Sequence, residues 1–366
     1  MFKPTEDLRI QRLDVLSPPS QVIGEAPSTS MLAETVGEAR GAIHRILHGR
    51  DDRLVVVIGP CSIHDPKAAM EYARRLAVER QHHAGELEIV MRAYFEKPRT
   101  TVGWKGLIND PHLDGGFQIN EGLRMARRVL LDVTALGLPT ACEFLDVTTP
   151  QYIADLVAWG AIGARTTESQ IHRELASGLS CPVGFKNGTN GDVKIAVDAV
   201  LAASHSHHFL AVSKEGRAAI AATTGNDDAH IVLRGGKTPN YDAASIAAAV
   251  AALDKAGLPP RLMVDASHAN SGKDPNNQPA VVADLCTQVA GGEGHIMGVM
   301  IESNLVAGRQ DLVLGRPLTY GQSITDGCIG WEASVRLLED LAAAVRPRRA
   351  SSGAVAAAHG APAATA

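Results

Sequence analysis

The amino-acid sequence predicts an α/β fold: a closed (β/α)8 TIM barrel with an N-terminal extension and an extra inserted β-strand pair. Two observations predict this fold. Between residues 51 and 345, eight short apolar runs alternate with eight segments of helical periodicity, which is typical of parallel βα units. Each run also ends at, or is closely followed by, a residue capable of chemistry, as expected where the strands of a barrel meet its active face.

The composition indicates a globular chain and limits its partners. Of the 366 residues, 45% are hydrophobic and 20% are charged, and the formal net charge of −5 gives no general attraction to nucleic acid. The sequence contains no apolar run long enough to span a membrane, and its N-terminus lacks the apolar stretch of a signal peptide. We therefore expect a cytoplasmic protein with no nucleic-acid or membrane partner. Its five cysteines, odd in number and without a CxxC, indicate reduced thiols.

Residues 1–50 are predicted to form an N-terminal extension that serves oligomer contact and regulation. An apolar segment at 8–23 is interrupted by Pro18 and Pro19, and a helical pattern follows at 30–48. The apolar segment has no partner strand near it in sequence. We therefore expect it to pair with, or cover, another subunit.

The catalytic barrel is predicted over residues 51–345. Its first unit is a buried strand followed by Asp65 and Pro66, which together are typical of a helix start, and the same alternation continues to the last helix. The predicted strands are 54–60, 87–92, 139–144, 161–165, 182–186, 229–234, 261–265 and 296–302, and the helices after the first are 118–136, 150–159, 168–178, 192–203, 242–256, 279–289 and 330–345.

Two segments depart from the alternation. Short apolar runs at 209–213 and 218–223 predict the inserted strand pair, because no helix separates them. The Ala-, Gly- and Pro-containing tail at 346–366 is of low complexity, and we expect it to be disordered.

The strand ends supply two kinds of functional group. Cations crowd the turn after the second strand and recur at later strand ends, a pattern that suits a ligand with phosphate and carboxylate groups. A thiol, an imidazole and carboxylates are also available for a divalent metal ion, although a buried Cys and a core His are each more common than a ligand pair, so both interpretations stay open at this point. The residues concerned are Cys61, Arg92, Lys97, Arg99, Glu143, Arg165, Lys186, Arg234, Asp265, His268, Glu302 and Asp326.

Several long motifs resemble those of the type I, feedback-regulated 3-deoxy-D-arabino-heptulosonate 7-phosphate (DAHP) synthases, also called phospho-2-dehydro-3-deoxyheptonate aldolases. They include GPCSIHDP (59–66), RAYFEKPRTTVGWKGLINDP (92–111), DASHANS (265–271) and YGQSITDGCIGWE (320–332). The resemblance covers about residues 50–345. It implies condensation of phosphoenolpyruvate with erythrose 4-phosphate and water to give DAHP and phosphate, the first step of the shikimate pathway to chorismate and the aromatic amino acids.

The resemblance also implies roles for these strand-end residues. A divalent metal ion (Mn, Fe, Co or Zn, with Mn the choice for an assay) would polarise the aldehyde of erythrose 4-phosphate, and Lys97 and His268 are the candidates for proton transfer beside Cys61 and Asp326. The implied metal ligands are Cys61, His268, Glu302 and Asp326; the implied phosphoenolpyruvate contacts are Arg92, Lys97, Glu143, Arg165, Lys186 and Arg234; and the implied erythrose 4-phosphate contacts are Lys97, Arg99, Thr100 and Asp326.

Regulation is implied in the same way. Relatives of this length are inhibited by an aromatic amino acid, here expected to be Phe or Tyr, at a site remote from the barrel mouth, and they assemble as homodimers or homotetramers. The effector site would be formed by Asp146, Pro150, Gln151, Leu179, Ser180, Phe209 and Ala211.

Two alternatives remain at the level of sequence. One is the related synthase that joins phosphoenolpyruvate to arabinose 5-phosphate, and the other is a non-catalytic barrel that senses metabolites. The KPRTT sequence at 97–101 favours the four-carbon sugar. The intact set of four metal-ligand candidates favours an enzyme over a sensor.

Overall fold

The computed structural model describes residues 5–359 and contains a closed barrel of eight parallel strands. Around the barrel the order is β1-β10-β9-β8-β5-β4-β3-β2, with the first and last barrel strands adjacent. The strands are β1 (Leu54–Gly59), β2 (Leu87–Arg92), β3 (Thr140–Glu143), β4 (Val157–Ile162), β5 (Val183–Lys186), β6 (His208–Val212), β7 (Ala218–Ala222), β8 (Ala229–Leu233), β9 (Leu262–Asp265), β10 (Ile296–Glu302), β11 (Val306–Arg309) and β12 (Gln322–Ser323).

Helices alternate with these strands and form the outer layer. Their apolar faces pack on the outward side chains of the strands, so that every barrel strand is buried on both faces. The helices are α1 (Pro19–Glu25), α2 (Ser30–Leu47), α3 (Pro66–His82), α4 (Ile119–Thr134), α5 (Pro150–Ile153), α6 (Gln170–Gly178), α7 (Lys194–Ala203), α8 (Ala243–Lys255), α9 (Gln278–Ala290) and α10 (Trp331–His359). The predicted (β/α)8 barrel is confirmed.

Helix α2 closes the N-terminal end of the barrel. Its side chains Ile43, Ile46 and Leu47 are buried in one cluster with inward-facing strand residues such as Trp159 and Met263. The helical half of the predicted extension therefore forms part of the barrel core, where it stabilises the end opposite the strand termini.

The segment before α1 is largely exposed and forms no strand among residues 5–18. Leu13 and Val15 are 79% and 88% exposed. This N-terminal arm, described over residues 5–18, contacts the barrel near its end, where the Tyr152 hydroxyl donates to the Ser17 carbonyl at 2.7 Å. Its predicted contact with another subunit stays a prediction.

The structure corrects the element boundaries in two places. The helix predicted at 150–159 ends at Ile153, and β4 starts at Val157, so that Trp159 lies in a strand and points into the barrel. Helix α10 continues to His359, beyond the helix end predicted at 345: Arg349 donates to Asp52 at 2.6 and 2.7 Å and holds this stretch against the start of β1. The disorder of the tail stays a prediction. The rest of the predicted tail lies outside the described residues.

The inserted strand pair is confirmed as an antiparallel hairpin, β6 with β7, outside the barrel. Its outward side chains Leu210 and Ile220 are 86% and 76% exposed. Among the helices that the structure describes, none combines the length and the apolar character needed to cross a membrane.

Candidate active site

A cavity of about 770 Å³ lies at the C-terminal ends of the barrel strands. It is deep rather than flat, since side chains from the strand ends form its floor and the loops after them form its walls. Its lining includes Arg92, Lys97, Arg99, Thr100, Glu143, Arg165, Lys186, Arg234, His268, Glu302 and Asp326, all of which are residues that the sequence predicted for the site.

Arg92, the last residue of β2, is held rigidly in the floor of this cavity. Its guanidinium donates to the Glu302 carboxylate at 2.8 Å and to the Cys61 carbonyl at 3.2 Å. It also stacks over the Tyr94 ring at 3.7 Å from the centroid. Burial opposes its charge, but Tyr94 and Glu302 raise the pKa of Arg92, so it stays cationic.

Lys97 lies in the tight loop that follows β2. Its ammonium donates to the Cys61 carbonyl at 3.0 Å, and its backbone N–H donates to the Lys105 carbonyl at 2.8 Å, which closes the loop. Gly106 permits this closure, because it has φ +116° and a Cβ there would lie 2.0 Å from the Phe95 carbonyl oxygen. The loop is thus shaped to return Lys97 to the cavity.

A buried ion pair occupies the opposite side of the floor. The Lys186 ammonium donates to Asp265 at 2.9 Å, and Ser267 and His268 also hydrogen-bond to this carboxylate. Although burial disfavours ionisation, Lys186 and His268 hold the pKa of Asp265 well below its usual range. Asp265 therefore balances one cation and orients the imidazole.

Three of the four predicted metal ligands converge. The ligand atoms of Cys61, Glu302 and Asp326 all lie within 4.8 Å of one another, and the Cys61 Sγ lies 3.7 Å from Asp326 Oδ2. A thiol and two carboxylates around one point fit a divalent ion of the Mn-to-Zn series. Burial, followed by Glu302, raises the pKa of the Cys61 thiol, so a cation would have to displace its proton.

His268 lines the same cavity but stands apart from this group of three. Its Nδ1 is 2.9 Å from Asp265 Oδ2 and 2.7 Å from the Ser267 hydroxyl. The residue has φ +56°, which turns the chain sharply after β9. The opposite ring nitrogen is therefore the one available to a ligand.

Three other cations have no carboxylate partner in the described part of the chain: no ion pair there involves Arg99, Arg165 or Arg234. Arg165 instead donates to the Thr100 hydroxyl at 3.1 Å, linking the loops after β4 and β2. Burial lowers the pKa of Arg234. Positive charge without a protein counter-ion is what an anionic ligand requires.

Sequence reasoning missed two cations of the cavity, Lys273 and Arg309. Lys273 follows β9 by eight residues, and Arg309 ends β11, a strand that the sequence did not predict. A rule that takes residues at strand ends does not reach such loop positions. The only signal for Lys273 is its place just after the DASHANS motif.

The predicted effector residues lie on the outer wall, around the loop after β3, the end of α6 and the hairpin. The Lys214 ammonium donates to the Gln151 carbonyl at 2.5 Å, and α6 packs against β6. The buried Glu96, next to Lys97, accepts the Asp146 N–H at 3.2 Å and the Thr149 hydroxyl at 3.2 Å. One side chain therefore joins this wall to the active-site loop.

A closed barrel that gathers unpaired cations beside a thiol and carboxylates at its strand ends defines a (β/α)8 barrel enzyme. More narrowly, the chain belongs to the DAHP synthetase I family, whose model matches residues 28–339. This finding confirms the family resemblance predicted from the motifs.

Known relatives match almost the whole chain. The chain is 62% identical to the Phe-sensitive phospho-2-dehydro-3-deoxyheptonate aldolase of Escherichia coli K12, over 94% of this chain and 98% of that protein. It is 56% identical to the Trp-sensitive enzyme of Salmonella typhimurium, over 94% and 99%. The solved phospho-2-dehydro-3-deoxyheptonate aldolase of Francisella tularensis SCHU S4 superposes with a TM-score of 0.91 at 54% identity, covering 93% of this chain and 99% of that one.

Proposed function

We propose that this chain condenses phosphoenolpyruvate with erythrose 4-phosphate and water to give DAHP and inorganic phosphate, in the cytoplasm, as the first step toward chorismate. One observation supports the proposal above the others. A single cavity is lined both by the unpaired cations Arg165 and Arg234 and by the carboxylates of Glu302 and Asp326. The ligand atoms of these two carboxylates converge with the buried thiol of Cys61. The reaction needs both, because two anionic substrates must meet at an activated aldehyde.

Phosphoenolpyruvate is assigned to the inner cations. Its phosphate suits Arg165 and Arg234, which have forked donors and no carboxylate partner within the described residues. Its carboxylate suits Lys186 and Arg92, which are already fixed by Asp265 and Glu302. Glu143 and Lys97 complete this contact set on the same wall.

Erythrose 4-phosphate is assigned to the outer part of the cavity. Arg99 and Thr100 lie at the rim, where they can bind the sugar phosphate. The buried Lys97, and Asp326 beside Cys61, also line the cavity and would contact the aldehyde end. This arrangement brings the aldehyde toward the bound phosphoenolpyruvate.

Cys61, Glu302 and Asp326, with His268, would hold a divalent metal ion. When bound, a Mn, Fe, Co or Zn ion supplies Lewis acidity to the aldehyde oxygen of erythrose 4-phosphate. The nearby ammonium of Lys97 and guanidinium of Arg92 both donate to the Cys61 carbonyl, which fixes the position of this ligand.

The bond changes balance without any further reactant. C3 of phosphoenolpyruvate forms a bond to the aldehyde carbon, water adds to C2, and the C–O bond of the resulting hemiketal phosphate breaks to release phosphate. The cations reduce the repulsion between the substrates and stabilise the developing negative charge. Lys97 and His268 both line the cavity and are the groups available to move protons.

The proposal is tested by the consumption of phosphoenolpyruvate by purified, Mn-loaded protein, with erythrose 4-phosphate or arabinose 5-phosphate and with or without chelator. We expect turnover with erythrose 4-phosphate that stops when the chelator is added. Turnover with arabinose 5-phosphate alone would favour the related synthase, and binding of both substrates without turnover would favour a sensor.

We also propose feedback inhibition by an aromatic amino acid at the predicted effector residues. The contact of Glu96 with Asp146 and Thr149 supports this, since it connects that wall to Lys97. Phenylalanine is favoured over tyrosine, because the 62% identical relative is named Phe-sensitive. The test is the same assay with Phe, Tyr and Trp in turn, using Phe209→Ala as the variant that should lose inhibition but keep turnover.

We further propose that the chain assembles as a homodimer or homotetramer. The exposed apolar side chains of the N-terminal arm, among them Leu13 and Val15, support an interface between copies. Sedimentation of the full chain and of a Leu13→Ser/Val15→Ser variant is the test, and an unchanged monomer in both would contradict it.

A further inference from the structure

Three metal-ligating side chains meet at the end of the barrel opposite the cavity. His44 lies in the last turn of α2, His48 is the C-cap residue of that helix, and Asp228 immediately precedes β8. Asp228 Oδ1 lies 2.7 Å from His44 Nδ1 and 3.0 Å from His48 Nε2. All three ligand atoms lie within 4.8 Å of one another. No role in the proposed reaction uses them.

The two histidines are held in place by the packing of α2. Residues Ile43, Ile46 and Leu47, interleaved with the histidines along the helix, are buried in the barrel interior. A spacing of four residues puts both imidazoles on the same side of the helix. Their rings are 4.4 Å apart between centroids, so the two side chains converge.

Asp228 is fixed from the barrel side. Its carbonyl accepts a hydrogen bond from His230 Nδ1 at 3.0 Å, and its N–H donates to Asn226 Oδ1 at 3.1 Å. His230 Nε2 in turn accepts from the Trp159 indole at 3.1 Å. Burial lowers the pKa of His230 to about 4, so this chain of hydrogen bonds keeps one arrangement at neutral pH.

The charge of Asp228 has no lysine or arginine partner among the ion pairs of residues 5–350; its only partners there are the two histidines. The side chains of His44, His48 and Asp228 are 32%, 20% and 18% exposed. Solvent therefore reaches the cluster from one side. An ion, and a water molecule as its fourth ligand, can therefore approach the three ligand atoms from that side.

We propose that His44, His48 and Asp228 form a second divalent-cation site, selective for ions of the zinc, cobalt and nickel kind. Two imidazoles and one carboxylate are a donor set that such ions favour. Metal–ligand bonds of about 2.0–2.1 Å at tetrahedral angles separate neighbouring ligand atoms by about 3.3 Å. The observed 2.7 and 3.0 Å need to widen by only a few tenths of an ångström.

The bound ion would tie the N-terminal helix to the barrel wall. Its ligands come from α2 and from the turn before β8, which are 180 or more residues apart in sequence. An ion that binds only the folded arrangement stabilises it by mass action. The site therefore serves the attachment of α2 and has no direct part in catalysis.

Cobalt binding to the metal-stripped full chain tests the proposal, because the two sites differ in chemistry. The thiol of Cys61 would give a thiolate-to-cobalt charge-transfer band, whereas two imidazoles and a carboxylate give only the weaker d–d bands of a tetrahedral ion. We expect two Co²⁺ per chain, of which Cys61→Ala loses the charge-transfer ion and His48→Gln loses the other. Turnover should be unchanged in His48→Gln.

Two controls make the result decisive. His82→Gln alters another histidine cluster, Glu79 with His82 and His83, whose members all come from the end of α3, and it should keep both ions. In the Cys61→Ala background, Zn²⁺ should raise the midpoint of thermal unfolding, and adding His48→Gln should abolish that rise. One Co²⁺ per chain in the unaltered protein, or no change in His48→Gln, would overturn the proposal and leave a simple hydrogen-bonded cluster.

Discussion

The two ends of the barrel differ in the kind of side chain that the same eight strands bury there. At the N-terminal end, Ile43, Trp159 and Met263 fill the interior with apolar side chains. At the C-terminal end, the interior holds ionised groups such as Arg92 and Asp265, which are 1% and 0% exposed. Buried charges are costly unless they are paired. Apolar packing at the N-terminal end therefore offsets the free-energy cost of the buried charges at the C-terminal end.

The largest expected effect comes from removing a proposed metal ligand at the charged end. Cys61→Ala should reduce turnover about a thousandfold or more, since it removes several kcal/mol of transition-state stabilisation, while the fold survives the loss of one small side chain. Steady-state turnover and circular dichroism together measure this. Cys181→Ala, at a buried thiol away from the cavity, is the control and should keep turnover. Full activity in Cys61→Ala would refute the site.

The apolar end should give the reverse result. Ile43→Ala should lower the free energy of unfolding by about 2–5 kcal/mol, because it leaves a cavity in a side-chain cluster with no exposure. Turnover per folded molecule should not change. Chemical denaturation measures the loss, with Val78→Ala, at a 63% exposed helix position, as the control within about 0.5 kcal/mol. A fall in turnover at denaturant concentrations too low to unfold the protein would mean that the two ends are coupled.

A substitution of an unpaired cation should affect binding without affecting stability. Arg165→Ala should raise the Michaelis constant for phosphoenolpyruvate, because a charge-assisted hydrogen bond is worth about 1.5–3 kcal/mol, or roughly tenfold to a hundredfold. Arg128→Ala, at an exposed position of α4 outside the cavity, should leave the constant unchanged. A normal constant in Arg165→Ala would remove this residue from the phosphoenolpyruvate site.

The smallest expected effect concerns pH. Burial, with Asp146, raises the pKa of Glu96 to about 8, above the value of an unfolded chain. The folded state therefore holds a proton that the unfolded state has lost, and stability falls as pH rises toward and through 8. Between pH 7 and 9 this amounts to about 1.4 kcal/mol. Glu96→Gln should flatten that slope in denaturation measured at both pH values, and an equal slope in both proteins would contradict the assignment.

The charged end was the more predictable from sequence. An apolar run that stops at a cation indicates a strand end from the sequence alone, and β2 ends at Arg92 as predicted. Parallel strands then bring such residues together without any further information. This is why the cations line one cavity with Glu302 and Asp326, beside the buried Cys61.

What the sequence did not predict depends on contacts distant along the chain. The apolar stripe of α2 shows that one face is buried, but not that this face closes the barrel. The small residues around Gly160 give β4 no clear period, so its start was predicted too late. The pairing of His268 with Asp265 follows from a backbone turn with φ +56°, and no local pattern encodes it.

The adjacency of β1 and β10 has a consequence for biosynthesis. The two strands pair along their length, from Val55 with Gly298 to Gly59 with Glu302. During synthesis on the ribosome, the backbone groups on one edge of β1 have no partner strand until β10 has emerged. The apolar side chains of β1 are incompletely covered over that interval. The barrel therefore cannot close before the chain has been made as far as β10.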